Sequence, residues 1–243
     1  PFLHSKGHED RARRYARKVT ADELAFAPVQ RSGDGGSQAI GVFHASNRRL
    51  NWGVGIGFAA STLVAYAIIS WGTTFLTAAG LTLEQALATS FAVGITSIAG
   101  ALAAGFLARR FGSRAVMQTV SVVLLAVVLV LAVLLEMFSA SPVPALRLAI
   151  QVLVASVSGL VSVGIATIYV MMTLGYPQTC RSSGIGFGMF TGRLGAILAS
   201  FGGGYLIDLG GGSLVPFFAV MALGSILIST AAFVVDRHVE PTR

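Results

Sequence analysis

Six long apolar stretches follow the first fifty residues of the chain. They lie at 52–76, 86–107, 115–137, 145–172, 184–207 and 214–235. About 20 consecutive apolar residues cross the hydrocarbon core of a bilayer as an α-helix. The stretches are continuously apolar and do not alternate with a period of two, which excludes the strands of a transmembrane barrel. The pattern predicts an all-α membrane protein with six transmembrane helices.

The polar segments around these stretches divide the chain into three parts. Residues 1–50 are predicted to be a cytoplasmic connector, with a short amphipathic helix at about 8–19 and a Gly/Ser linker at 31–38. A regulatory or partner-binding role for this region is the alternative. Residues 51–236 form the predicted transmembrane domain, and residues 237–243 form a predicted cytoplasmic tail.

The composition fits a membrane protein and restricts its chemistry. Hydrophobic residues make up 54% of the 243 residues and charged residues only 11%, against about 25% charged residues in soluble domains. Cys180 is the single cysteine, and all four histidines lie outside the predicted spans. We therefore expect no disulfide, no metal site and no cofactor. An enzyme is disfavoured, because the spans hold neither paired carboxylates nor a G-x-S-x-G element.

The basic residues are concentrated on one side of the predicted membrane. The chain has 17 Lys and Arg against 10 Asp and Glu. If residues 1–50 are cytoplasmic, only Arg147 lies on the outer side and only Arg193 lies within a span. This distribution follows the positive-inside rule and does not indicate a nucleic-acid partner. It predicts a multi-pass protein of the inner (plasma) membrane with both termini of this chain in the cytoplasm.

One charged side chain lies deep in a predicted span. Arg193 stands about halfway along the stretch 184–207. A guanidinium near the bilayer centre costs about 2.5–3.5 kcal/mol on insertion scales, and such a residue normally faces a bundle interior or an aqueous cavity. No acid of the chain is expected at this depth, because Glu84, Glu136 and Asp208 fall at the outer ends of spans. We predict that a ligand carboxylate or an acid outside this chain neutralises Arg193.

Polar and small residues in the first and fifth spans indicate either close packing or a cavity. Tyr66 and Ser70 lie at helical spacing on one face, with Trp71 beside them. This stripe either lines a cavity or forms a helix–helix contact. Glycines at every fourth position of 184–192 form a ridge that is typical of closely packed membrane helices. The ridge either serves packing alone or also leaves room for Arg193.

An internal repeat relates the second span to the fifth. The element G-x-x-x-R-x-x-G at 105–112 matches G-x-x-x-D-x-x-G at 204–211. The two copies are three spans apart, so they lie at opposite membrane faces, as in the inverted repeats of transporters. We expect Gly105 to let neighbouring helices approach closely and Gly112 to permit the turn. The repeat predicts two inverted three-helix units.

The loop after the second span resembles the signature loop of the major facilitator superfamily, G-x-x-x-D-R-x-G-R-R. Four residues match it, namely Gly105, Arg110, Gly112 and Arg114. Arg109 stands in place of the usual aspartate, and Ser113 in place of an arginine. The resemblance implies the C-terminal half of a twelve-helix fold, preceded by its central loop, with an N-terminal six-helix half as the missing partner. It assigns these loop arginines and glycines, together with Arg181, to gating.

Within the superfamily, the chain is most similar to the aromatic acid:proton symporters, which carry 4-hydroxybenzoate or benzoate. The similarity rests on YAIISWGTTFL at 66–76 and on GRLGA at 192–196. It implies that Arg193 pairs with the substrate carboxylate or with an acid of the other half, and that rings face an aromatic ligand. The substrate-binding residues implied in this way are Arg193, Tyr66, Ser70 and Trp71.

This resemblance implies proton-coupled uptake of a small organic anion, such as a hydroxybenzoate, by alternating access in the lipid bilayer. The alternatives are a transporter of a sugar, a dicarboxylate or a drug within the same superfamily, and a six-helix fragment that does not transport. In the symporters the proton-linked acids lie in a D-G-x-D element of the first helix, and these 243 residues do not contain it. We therefore expect this chain not to transport alone.

Overall fold

The computed structural model describes residues 41–140, 143–211 and 213–238. Six helices fill most of these ranges, namely α1 (Arg48–Ala78), α2 (Leu83–Phe111), α3 (Ser113–Ala140), α4 (Pro144–Gly175), α5 (Arg181–Leu209) and α6 (Val215–Val234). Each is long and apolar enough to cross a membrane, which confirms the predicted fold class. The amphipathic helix and the Gly/Ser linker predicted within residues 1–40 lie outside the described residues.

Local side-chain signals set several helix ends. At the start of α2, the backbone N–H of Gln85 donates to Thr82 Oγ1 at 3.3 Å, and the backbone N–H of Thr82 donates to Gln85 Oε1 at 3.2 Å. This reciprocal capping box satisfies two N–H groups that the first helical turn cannot. Pro144 opens α4 and Pro216 lies in the first turn of α6, where a missing N–H costs nothing.

The glycines that end the two copies of the sequence repeat both have a positive φ. Gly112 follows α2 with a φ of 81°, and Gly211 follows α5 with a φ of 56°. A positive φ is costly for any residue that has a Cβ atom. Gly112 therefore forms the predicted turn, and its counterpart stops a helix at the opposite end of the bundle.

The packing of the helices shows the same twofold relation. The most extensive contacts join α1 to α5 and α2 to α4, and the next join α1 to α6, α3 to α4 and α3 to α6. Exchanging α1 with α4, α2 with α5 and α3 with α6 converts the first four of these pairs into one another and leaves the α3–α6 pair unchanged. This is the contact pattern of two inverted three-helix repeats.

Glycines bring the two most extensive helix pairs together. A Cβ atom on Gly195 of α5 would collide with the carbonyl oxygen of Ala59 on α1, and one on Gly100 of α2 would collide with that of Gly159 on α4. The expected close contact at Gly105 is wrong for the described residues, because nothing lies within 4 Å of its Cβ position. Gly100, one and a half turns earlier, makes the close approach, and it does so towards α4.

Most arginines of the described ranges lie at one end of the bundle. They occupy the start of α1, the end of α2, the starts of α3 and α5 and the segment after α6, as Arg48, Arg49, Arg109, Arg110, Arg114, Arg181 and Arg237. The opposite end holds Glu84, Glu136, Arg147 and Asp208. We call the first of these the arginine-rich end.

Candidate functional site

Arg193 lines a groove between α1, α4 and α5. The groove has a volume of about 190 Å³, and its walls include Phe58, Thr62, Tyr66, Tyr169, Met189 and Arg193. We call it the arginine groove. Its residues come from three helices that are far apart in sequence, so the packing of the bundle creates the groove.

The backbone next to Arg193 is fixed against α1 on both sides. Thr62 Oγ1 of α1 donates a hydrogen bond of 2.7 Å to the carbonyl oxygen of Gly192. Two residues after Arg193, Gly195 lies directly on the carbonyl oxygen of Ala59. These contacts hold the helix axes close together, as small residues and hydroxyl groups do in membrane bundles. The glycine ridge therefore serves packing, and it also sets the position of the guanidinium.

Two tyrosines share the arginine groove with Arg193. Tyr66 is half-buried on α1, and Tyr169 of α4 is 38% exposed and packs edge-on against Phe58, with ring centroids 5.2 Å apart. Within the described ranges, neither phenol hydroxyl nor the guanidinium has a hydrogen bond or an ion pair. The groove thus presents one planar cation and two hydroxyl donors, which is a suitable set for a carboxylate.

Trp71 does not line the arginine groove; it packs against α5. Its Nε1–H lies 3.1 Å from the carbonyl oxygen of Ala199 and 3.2 Å from that of Ser200. A Cβ atom on Gly203 or Gly204 would collide with the indole ring. The half-buried ring therefore packs on a surface of glycines on α5.

The structure thus brings two of the four predicted binding residues together. Arg193 and Tyr66 line the arginine groove, whereas Ser70 pairs with Ser200 across the α1–α5 contact at 3.3 Å and Trp71 packs nearby. Of the polar stripe on α1, Tyr66 lines a cavity, whereas Ser70 and Trp71 take part in a helix–helix contact. The prediction missed Tyr169, whose only sequence signal was a polar position in the fourth span.

A second groove occupies the equivalent place in the inverted repeat. It lies between α1, α2 and α4 and has a volume of about 250 Å³. Its polar members are Thr89, Ser90 and Ser97, with Gly72 and Gly94 beside them. We call it the hydroxyl groove. Each of these three hydroxyls donates to a carbonyl oxygen one turn earlier in α2, so the groove carries no charge and few unused donors.

The residues of the signature loop lie at the arginine-rich end, away from both grooves. The guanidinium of Arg110 lies 5.7 Å from the centre of the Phe111 ring, and that of Arg114 lies 5.9 Å from the Phe233 ring on α6. The second of these cation–π contacts joins the start of α3 to the end of α6. Arg181 opens α5, and its Nε atom is buried without a hydrogen-bond partner among the described residues.

Arg237 forms a clasp at the same end that the sequence did not suggest. Its Nη1 donates to Asn47 Oδ1 and to the carbonyl oxygen of Gly175, both at 3.1 Å, and its Nη2 donates to the carbonyl oxygen of Ser46 at 3.2 Å. Gly175 is the last residue of α4, so the guanidinium satisfies a carbonyl at a helix C-terminus. The clasp ties the segment after α6 to the residues just before α1 and to the end of α4.

Tyr176 anchors α1, α4 and α5 beside this clasp. It is almost fully buried, its hydroxyl donates to Asn51 Oδ1 at 2.7 Å, and its ring fills the space over Gly184 of α5. Burial raises the pKa of Tyr176 to about 12 because it disfavours the phenolate. The residue therefore stays neutral and holds the end of the three helices that form the arginine groove.

Comparison with known proteins identifies the family of the chain. No three His, Cys, Asp or Glu side chains of the described ranges lie together as a metal site. No match was found among curated proteins. The family model described as "Sugar (and other) transporter" matches residues 1–238, which is nearly the whole chain and agrees with six membrane-spanning helices in two inverted repeats. The chain belongs to this family of membrane transporters within the major facilitator superfamily.

Proposed function

We propose that the transporter takes up a small organic anion, with an aromatic acid such as a hydroxybenzoate as the substrate, by proton-coupled alternating access. In this proposal the chain supplies the C-terminal half, and an N-terminal six-helix half completes the cavity. The observation that carries the proposal is Arg193, a guanidinium within a span that shares a groove with two tyrosine hydroxyls and has no partner in the described residues.

The chemistry of the arginine groove favours a carboxylate over a neutral ligand. A guanidinium presents parallel N–H donors that match the two oxygens of a carboxylate, and this pairing strengthens where water is excluded. A neutral ligand would leave the charge uncompensated at a depth where it is costly. In this proposal the ring of an aromatic acid lies against Phe58 and the two tyrosines, where offset or edge-on ring contacts add to the stabilisation.

Arg193 also offers a way to link substrate binding to protons. When the substrate leaves, the guanidinium still needs an anion, and a carboxylate of the other half can take that place. Binding of the next substrate then displaces this carboxylate, and the released acid binds a proton more readily because it has lost its cationic partner. The proton-linked acid is therefore proposed to lie outside this chain.

The orientation follows from the distribution of charge. The arginine-rich end collects seven arginines, whereas the opposite end has Arg147 beside three acids. Because basic residues favour the cytoplasmic side, we place the arginine-rich end in the cytoplasm of a plasma membrane. Arg237, Tyr176 and the signature loop then form the cytoplasmic closure of this half.

A sugar is the second candidate, and the description of the matched family favours it. Sugars are recognised by many neutral hydrogen-bonding groups, and the polar side chains of the hydroxyl groove are all neutral, with hydroxyl oxygens that can still accept hydrogen bonds. The two candidates therefore depend on different grooves. Competition separates them, since an excess of hexose should leave uptake of an aromatic acid unchanged if the anion proposal is correct.

Uptake by the full-length protein in liposomes tests the anion proposal. Radiolabelled 4-hydroxybenzoate is supplied with an inward proton gradient, and Arg193→Lys is compared with the unaltered protein. Lysine keeps the charge but lacks the planar pair of donors, so we expect the uptake rate at low substrate to fall about 10- to 100-fold. Arg49→Lys at the exposed start of α1 is the matched control and should transport normally. Unchanged KM and rate in Arg193→Lys would exclude the substrate-binding role.

A further inference from the structure

The largest cavity described here lies on the other side of the α1–α5 contact from the arginine groove. It has a volume of about 480 Å³ and is lined along α1 by Arg48, Trp52, Ile56 and Ala59, and along α5 by Phe187 and Leu194. No residue of α4 lines it, so it opens sideways from the bundle. We call it the lateral groove.

The walls of the lateral groove leave almost no polar group unused. Asn51 Nδ2 donates to the carbonyl oxygen of Val42 at 2.9 Å, and Asn51 Oδ1 accepts from Tyr176 at 2.7 Å. Thr191 Oγ1 donates to the carbonyl oxygen of Gly188 at 2.8 Å. A ligand in the groove would find apolar surface along its length, which suits a hydrocarbon chain and not a sugar or a peptide backbone.

The exception lies at one end of the groove. Arg48 is exposed, and no hydrogen bond or ion pair joins its guanidinium to another residue of the described ranges. Trp52 follows one turn later and is 62% exposed, as expected of a tryptophan at the level of lipid headgroups. The groove therefore combines an apolar interior with a single cation at its mouth.

The length of the groove matches one leaflet of a bilayer. From Arg48 to Ala59 the helix rises about 16 Å at 1.5 Å per residue, and the hydrocarbon core is about 30 Å thick. A lipid with its phosphate beside Arg48 would thus have its acyl chain along the groove down to about the bilayer midplane. We propose that the lateral groove is a binding site for one anionic phospholipid of the leaflet at the arginine-rich end.

The charge at the mouth selects the headgroup. Arg48 attracts a lipid of net negative charge, whereas a zwitterionic lipid carries its own cation and gains less from the guanidinium. The proposal needs only the membrane location and the groove, so it stands apart from the choice of transported substrate.

Quenching of Trp52 fluorescence tests the site in the purified full-length protein. Phosphatidylglycerol and phosphatidylcholine with brominated acyl chains are compared as quenchers, and the signal of a Trp52→Phe variant is subtracted to isolate Trp52. We expect phosphatidylglycerol to reach half-maximal quenching at about a fivefold lower mole fraction than phosphatidylcholine, the preference that one basic residue confers. Arg48→Gln should remove this preference, and Arg147→Gln at the opposite end should retain it.

A variant that fills the groove gives a second measurement. Ile56→Trp should reduce the phosphatidylglycerol that stays bound in native mass spectra, whereas Ile226→Trp on α6, at a side chain that is 46% exposed, should not. Equal quenching by the two lipids, or a preference that survives Arg48→Gln, overturns the proposal. The absence of any lipid quenching of Trp52 also overturns it, because the groove would then be covered by protein.

Discussion

The arginine groove and the hydroxyl groove occupy equivalent places in the two inverted repeats, yet their side chains differ in kind. One is formed by α1 and α5 with α4, and the other by α4 and α2 with α1. The first carries Arg193 and two tyrosines, while the second carries glycines and hydroxyls that already bond to their own helix. The repeated fold supplies the same concave geometry twice.

Under the proposed function, the difference between the grooves assigns chemical selectivity to one copy. Duplicated packing needs only small residues at the contacts, and both copies have them, at Gly195 and at Gly100. A charge in a span is costly, so a second one in the hydroxyl groove would require a second anion.

The largest expected effect comes from removing the charge of the arginine groove. Arg193→Gln leaves a shorter, polar and uncharged side chain, and we expect uptake of an aromatic acid to fall about 100-fold or more, as when one partner of a buried charge pair is lost. Ser90→Ala in the hydroxyl groove should change uptake less than about threefold, because the Ser90 hydroxyl already donates to the carbonyl oxygen of Ala86. Initial rates in proteoliposomes measure both. Equal losses in the two variants would contradict the assignment of selectivity to one groove.

The shared packing gives the next largest effect, and here the two repeats should behave alike. Gly195→Ala and Gly100→Ala each place a Cβ atom on a carbonyl oxygen of the neighbouring helix. Overpacking of this kind costs about 1–3 kcal/mol, so both variants should unfold at lower temperature in detergent. Gly105→Ala is the matched control, since its Cβ has no neighbour within 4 Å, and alanine is the better helix former. A stable Gly100→Ala beside an unstable Gly195→Ala would show that the repeats do not share their packing.

High pH should loosen the end of the arginine groove before it affects the hydroxyl groove. The neutral phenol of Tyr176 is favoured in the fold, so its contribution is complete below its ordinary pKa of 10.0 and is lost as the pH rises towards about 12. Hydrogen exchange of the first turns of α5, measured by mass spectrometry and divided by the intrinsic base-catalysed rate at each pH, should increase over this window, while the same corrected exchange in the middle of α2 should not. Tyr176→Phe should remove the dependence on pH. A response of equal size in that variant would assign it to another group.

The smallest expected effect concerns the two tyrosine hydroxyls. Tyr169→Phe and Tyr66→Phe keep the rings and remove one donor each, and a typical single hydrogen bond contributes about 0.5–1.5 kcal/mol net. We expect each variant to raise the KM for an aromatic acid by about 3- to 10-fold. Thr173→Val, at a hydroxyl that bonds the carbonyl oxygen of Val170 on the same helix, is the control. If neither tyrosine variant alters KM, the substrate does not contact these hydroxyls.

Some of these features could be predicted from the sequence because they depend on local pattern. The six helices follow from apolar length, the turn at Gly112 from the need for a positive φ, and the depth of Arg193 from its place in an apolar stretch. Twofold related packing was indicated by the short glycine repeat. Each of these inferences uses residues close together in the chain.

The features that the sequence did not predict depend on which helix faces meet. Tyr169 reaches Arg193 only because α4 packs beside α1 and α5, and Trp71 turns to α5 because Gly203 and Gly204 leave room for an indole. Gly105 matches a family signature, yet the close approach of α2 to a neighbouring helix occurs at Gly100. The angular position of a residue around its helix acquires meaning only when the neighbouring helix is known.

The glycine-rich surface of α5 has a consequence for the biogenesis of the protein. α5 has the lowest hydropathy of the six helices and also carries Arg193, so it is the segment that the membrane alone accepts least readily. Its glycines fit the surface of α1, which the ribosome completes about a hundred residues earlier. α5 thus enters a bilayer that already contains its packing partner, and the order of synthesis becomes part of how a charge within a span reaches its place.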